Sequence, residues 1–147
     1  MSSQAAISSL TSWKEIRDDI LRIERECFDD QLQYSESEFI EDLTGNDARF
    51  LILHVGNRIE GFVNAAPLHR LDYLSFDERF SHEDTLYIID VAVSRAFRNR
   101  GYGSLMLAHL VSGGEFRRYT AHAMGDASRA LFLRAGFREA GEFENWM

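Results

Sequence analysis

The run Leu86-Tyr87-Ile88-Ile89-Asp90-Val91-Ala92-Val93 constrains the fold more than any other part of the chain. β-Branched and apolar residues in near-continuous succession specify a strand buried on both faces, with packing layers above and below it. Shortly after it comes Arg98-Asn99-Arg100-Gly101-Tyr102-Gly103, and then a helix that begins near Gly103, runs through Ser104 to Val111 and stops at Gly113-Gly114. Such a loop presents successive backbone N–H groups at a helix N-terminus, where the dipole favours anions. Gly101 and Gly103 permit close backbone approach and positive φ. Arg95, Arg98 and Arg100 add positive charge to a chain that is otherwise acidic. The pattern fits a phosphate or pyrophosphate cradle, and equally a plain strand-to-helix turn. It is not a P-loop, since no Gly-Lys-Ser/Thr follows, and it lacks the third glycine of the dinucleotide fingerprint.

Around this segment the chain alternates strand and helix signals, which predicts a mixed α/β domain. Ala5 to Leu10 reads as a short strand. Ser12 and Glu15 form a capping-box pattern opening a helix through about Phe28, with Trp13, Ile16, Ile20, Ile23 and Cys27 at three- and four-residue spacing. Ser35 and Glu38 repeat the device for a second helix, which Gly45-Asn46 would end. Phe50 to Val55 and Arg58 to Ala66 predict a hairpin across Gly56-Asn57. His69 to Asp84 is a long polar connection carrying Tyr73, Phe76 and Phe80. Phe116 to Met124 predicts a strand, Asp126 caps a helix from Ala127 to Ala135 closed by Gly136, and Phe137 to Met147 suits a final strand.

At 147 residues the chain fits one domain, residues 1–147. Its 16 Lys and Arg against 24 Asp and Glu give a formal charge of −8. That charge disfavours nucleic acid and anionic membranes as partners and attracts cations. It serves either solubility alone or a cationic substrate such as an amine, polyamine or basic peptide. The lone Cys27 excludes an intramolecular disulfide and reads as a small core residue. No apolar run is long enough to span a bilayer, and Met1-Ser2-Ser3-Gln4 lacks a secretory start, so a cytoplasmic location is expected. His54, His69, His82 and His109 do not form metal-ligand spacing, and no metal is predicted.

Arg98-x-x-Gly101-x-Gly103 after Ala92-Val93, with Leu131-Phe132-x-x-x-Gly136-Phe137 about thirty residues on, resembles the GNAT superfamily of acyl-CoA N-acyltransferases. The order of the upstream elements agrees, so the resemblance covers most of the chain. It implies a mixed, mostly antiparallel central sheet with a splay between strands 4 and 5, flanked by about four helices. Acetyl-CoA would be the acyl-donor cosubstrate, and a small-molecule or peptide amine the acceptor, attacking directly in a ternary complex. The main chain of Val91, Ala92 and Val93 would pair with the pantetheine arm. The amides from Arg98 through Asn99, Arg100, Gly101, Tyr102 and Gly103 to Ser104 would hold the pyrophosphate, and Ser128 and Phe132 would complete the carrier's site.

The family often uses a tyrosine of the last helix to protonate the departing thiolate. Phe132 occupies that position and has no proton to give, so water or another hydroxyl would substitute, with Tyr87, Tyr102 and Tyr119 as candidates and Tyr87 on the central strand. This departure also motivates an alternative reading, a non-catalytic acyl-CoA-binding module. Asp90 stands where many relatives carry a carboxylate that accepts the amine's proton. A carboxylate inside an apolar run is costly to bury unless paired, so Asp90 has either a structural partner or a chemical role. His122 is either a base or a satisfied histidine. Asp29-Asp30, Glu36, Glu38 and Glu41-Asp42 form either a solvated face or a lure for a cationic acceptor. Only ten residues follow Phe137, so one closing strand of the family is missing. The edge near Phe143 and Trp146 would then pair with a second copy in a homodimer.

Overall fold

The computed structural model describes residues 4–9, 12–28, 33–43, 48–67, 84–123 and 126–139. Five strands, β1 (Ala5–Ser9), β2 (Arg49–Val55), β3 (Arg58–Pro67), β4 (Thr85–Val93) and β5 (Arg118–Thr120), form one sheet in sequence order. β1 to β4 are antiparallel to their neighbours, and β5 runs parallel to β4. Helices α1 (Trp13–Cys27) and α2 (Glu36–Leu43) cover one face, while α3 (Tyr102–Ser112) and α4 (Asp126–Arg134) cover the other. The sheet is thus mixed, mostly antiparallel and flanked by four helices, as the resemblance implied.

Two cores follow from the two faces. Ile16, Ile20 and Ile23 of α1 are one helical stripe and pack with Phe39 of α2 on Phe50, Ile52, Phe62 and Ala92. On the reverse face Met106, Leu107 and Leu110 of α3 lie on Leu51, Leu53, Val63, Ala65, Leu86 and Ile88. β3 is buried along nearly its whole length, the pattern expected for a strand covered on both sides.

Helix starts differ in their chemistry. Ser35 accepts a bond from Glu38 N at 3.2 Å, and Glu38 accepts one from Ser35 N at 3.1 Å, a complete capping box. Ser12 sits at the N-cap of α1 without any side-chain capping bond, so the box predicted there does not form. Instead Trp13 and Arg17 of α1 donate to Glu36 and tie the two helices together. α3 begins at Tyr102, slightly earlier than the apolar pattern indicated.

Two expectations for the C-terminal half need correction. The strand predicted over Phe116 to Met124 is only Arg118–Thr120, because its apolar neighbours pack locally: the Phe116 ring lies edge-on to Tyr119 at 6.2 Å. Phe137 to Glu139 is not strand, and the rest of the predicted closing strand lies outside the described residues, as do the loop from 68 to 83, the edge at Phe143 and Trp146, and Asp29-Asp30.

β4 carries the feature that organises the site. Its pairing with β5 covers only Thr85 to Tyr87, so Ile88 to Val93 turn one edge away from any β5 partner. On the other edge the register with β3 slips: Ile88 pairs with Ala65 and Asp90 with Asn64, leaving Ile89 as an extra residue. A bulge of this kind inverts the alternation of side chains beyond it. Leu86 and Ile88 therefore share the α3–α4 face with Val91 and Val93, whereas Ala92 joins the α1–α2 core and Asp90 lies beside Glu24 of α1. Tyr87, between Leu86 and Ile88, alternates onto that same side of the sheet.

Candidate functional site

The free edge of β4 leads directly into the loop before α3. Ser94 is buried and closes the strand, its N–H donating to Glu60 O at 2.8 Å and its hydroxyl to Glu60 Oε2 at 2.7 Å. A single 3₁₀ turn, Arg95–Phe97, follows. Asn99 and Gly101 then take φ of 62° and 83°. Closely spaced left-handed positions of this kind are a backbone pattern found in anion-binding turns. The first α3 bond is Leu105 N to Gly101 O, 3.0 Å, so the amides of Tyr102, Gly103 and Ser104 have no carbonyl within the helix to bond. A side-chain carbon added at Gly101 would meet nothing within 4 Å, so the turn is open on that side.

Gly103 has a different job. A carbon there would come within 2.9 Å of Leu131 of α4, so its bareness serves the α3–α4 contact. Arg98 is also more than a donor of its amide. Its guanidinium bonds Glu26 O at 3.2 Å, Val93 O at 3.3 Å and Cys27 Sγ at 3.2 Å, pinning the end of α1 to the end of β4. Cys27 itself reaches Val93 O at 3.3 Å, and burial pushes its thiol up while Arg98 opposes the shift. Arg100 lies over the Phe97 ring at 5.1 Å.

On the α1–α2 face, Asp90 meets Glu24. Glu24 is 2% exposed, accepts Tyr34 N at 2.8 Å on Oε2, and has no N–H or O–H donor on Oε1. Burial raises the Asp90 carboxyl well above the ordinary range, and hydrogen bonding and charge repulsion from Glu24 push it further. Burial likewise raises Glu24, against the bonds from Asp90 and Tyr34. Two neighbouring carboxyls resist being ionised together, so the pair holds a proton more firmly than an ordinary carboxylate does. Beside them Asn64, fully buried, donates to Asp42 Oδ2 at 3.2 Å, and Tyr34 donates to the same oxygen at 2.6 Å.

Tyr87 sits where β5 leaves β4, its partner Thr120 being the last residue of that ladder. Its hydroxyl is 3.1 Å from His122 Nδ1. The Tyr119 hydroxyl accepts Phe116 N at 3.3 Å, away from the free edge, and Tyr102 leans on Phe97 at 6.3 Å. Phe132 packs edge-on to Phe137 at 5.2 Å, and Ser128, half-buried, lies one turn before it on α4.

Residues 13–137 match the model of the acetyltransferase (GNAT) family. The chain belongs to that family. No curated protein sequence matches it. Among solved structures, the GNAT chain is similar to an aminoglycoside N-acetyltransferase, AAC(6')-Iy, in complex with CoA, with 15% identity, TM-score 0.76, and coverage of 100% of this chain and 96% of that one. It is also similar to the aminoglycoside 6'-N-acetyltransferase AAC(6')-IG of Acinetobacter haemolyticus, with 14% identity, TM-score 0.73 and 97% coverage of each chain. The ribosomal-protein-S18-alanine N-acetyltransferase of Escherichia coli follows at 21% identity and TM-score 0.67, over 94% of this chain and 80% of that one. At such identities the likeness is one of fold.

In this GNAT fold, the residues singled out in sequence fall into separate groups. Val91, Ala92 and Val93 lie on the free edge and Arg98 to Ser104 in the turn at its end. Asp90 and Tyr87 share one face, and the bulge at Ile89, invisible in sequence, is what puts them there. Glu24 escaped the sequence reading, although it lies four residues after Ile20 and three before Cys27, on the buried stripe of α1. A charged residue on an apolar stripe was the available signal. Among the described residues no group of three His, Cys, Asp or Glu is placed to hold a metal, and no helix is long and apolar enough to cross a membrane.

Proposed function

We propose that this GNAT protein transfers an acetyl group from acetyl-CoA to a primary amine of a small molecule or peptide, the amine attacking the thioester directly in a ternary complex. The observation that carries this reading is the β4 edge from Ile88 to Val93, which no strand pairs among the described residues, leading into the left-handed turn before α3. The edge offers main-chain groups at Val91, Ala92 and Val93 for an extended amide-bearing chain, in the manner of an added strand. The turn offers N–H groups and a helix dipole to a diphosphate. In this reading Ser128 and Phe132 of α4 complete the carrier's site.

The family's tyrosine position is occupied by Phe132, and in our reading Tyr87 supplies the proton to the departing thiolate. It is the one candidate of the three at the vertex where β4 and β5 part, and His122 lies against its hydroxyl to reload it. Asp90 receives the proton of the incoming amine, and the acidic surface draws cationic acceptors in. We place the protein in the cytoplasm and leave pairing of two copies as a further proposal, which a monomeric mass at micromolar concentration would overturn. Phe132 favours a second reading, a non-catalytic acyl-CoA-binding module. Calorimetric titration with acetyl-CoA, followed by thiol release over a panel of aliphatic amines and peptides, decides among them. Binding with turnover supports the enzyme, binding without turnover supports the module, and no binding sinks both.

A further inference from the structure

Two acceptor atoms on the α1–α2 face lack the donors that buried oxygens require. Glu24 Oε1 and Asn64 Oδ1 have no hydrogen-bond partner, in side chains that are 2% and 0% exposed. Asn64 stands opposite Asp90 in the β3–β4 register, and the carboxyl of Asp90 adjoins Glu24. Unpaired buried acceptors are costly, and an orphan carboxylate oxygen beside a second carboxyl is a resting place for an arriving proton.

We propose that Glu24 and Asp90 act as one proton acceptor for a primary aliphatic ammonium, with the proton coming to rest between the two carboxyls. The inference rests on the acyl transfer proposed above. One N–H bond of R–NH3⁺ breaks and its proton passes to Asp90, where it is held by a hydrogen bond to Glu24. The freed nitrogen lone pair forms a C–N bond to the thioester carbon, the C–S bond breaks, and the second proton leaves with the thiol. After product departs, the carboxyls return their proton to water. Glu24 is a positioning residue: it touches the shared proton and not the amine. Tyr34 N fixes one of its oxygens, which aims the other at Asp90. The neighbouring groups push the same way. Glu38 of α2 and Cys27 of α1 both disfavour further negative charge on this face, Asp42 of α2 is engaged by Tyr34 and Asn64, and Arg98 reaches only as far as Cys27. Burial and mutual repulsion thus raise the basicity of the two carboxyls above that of an ordinary carboxylate.

The test joins a carbon-13 titration of the side-chain carboxyls in the full chain with the pH dependence of kcat/KM for an aliphatic amine. We expect one carboxyl of the two to titrate above the ordinary carboxylate range and to coincide with the acidic limb of kcat/KM. Glu24→Gln should move that limb down by about one pH unit or more and lower kcat, leaving the KM for acetyl-CoA within about twofold. If both carboxyls titrate in the ordinary range, the shared proton is wrong whatever the activity. An active Glu24→Gln enzyme with an unmoved limb makes Glu24 merely structural and overturns the role argued here alone. Absence of turnover with every amine removes the proposed function, and this role falls with it.

Discussion

In the function proposed above, Tyr87 is the proton donor that Phe132 cannot be. Phe132 is held against Phe137 and has only carbon to present. Tyr87 is 6% exposed and keeps its hydroxyl on His122. Removing that hydroxyl with Tyr87→Phe deletes a proton donor and little packing. Loss of general-acid help costs about 10²-fold or more in the step it serves, so kcat should fall by that order with the acetyl-CoA KM nearly unchanged. Phe132→Tyr should then raise kcat more in the Tyr87→Phe background than in the parent, because the two hydroxyls would do the same work. A double-mutant cycle in steady-state kinetics measures this, and equal gains in both backgrounds would refute the assignment to Tyr87. The sequence announced the vacancy at Phe132 plainly. It could not rank three tyrosines, since their roles depend on where β5 leaves β4, a long-range fact that no local pattern encodes.

Glycines show the same contrast between what neighbours in sequence and neighbours in space decide. Gly101 was legible, because a left-handed turn before a helix is a local requirement, and its φ of 83° fulfils it. Gly103 was read as part of the same turn but serves the contact with Leu131, and Gly61 carried no signal at all. A carbon on Gly61 would lie 2.9 Å from Ala92 O, on the backbone of β4 itself, and 3.2 Å from Leu53 and Met106. Backbone in a central strand has nowhere to go. Gly61→Ala should therefore destabilise the fold by about 1–3 kcal/mol, outweighing the smaller gain from stiffening the unfolded chain. Gly103→Ala meets only the tip of a leucine, and up to about 1 kcal/mol of helix propensity offsets the clash, so it should lie near neutral. Urea unfolding of both variants checks the order, and a Gly103→Ala loss as large as that of Gly61→Ala would contradict it. The capping patterns make a parallel point. Ser35-Glu38 formed its box, whereas Ser12-Glu15 did not, because Trp13 and Arg17 secure that end of α1 through Glu36 instead.

Across the whole molecule, Asp90 and Glu24 contribute a pH dependence of stability opposite in direction to that of an ordinary paired carboxylate. Glu36, bonded by Arg17 and Trp13, is an ordinary case: its carboxyl is lowered, and its contribution is present at neutral pH and lost as pH falls through the folded value. Asp90 and Glu24 are raised. Between the unfolded carboxyl value and the raised folded one, the native state binds more protons than the unfolded chain. Stability from these two groups is thus greatest in acid and declines as pH climbs through the folded value. Asp90→Asn removes the charge that must be suppressed while keeping a similar shape. Its melting temperature relative to the parent should improve steadily from pH 5 to pH 8, reaching a gain on the order of 1 kcal/mol, about 2–4 °C for a chain of this size. The same substitution should abolish the acidic limb of turnover. A site that weakens its own scaffold at neutral pH is the trade expected where chemistry requires a basic carboxylate out of water. A melting difference that stayed constant over that pH range would show that Asp90 is an ordinary ionised carboxylate, and the reading of this face as a proton acceptor would be lost.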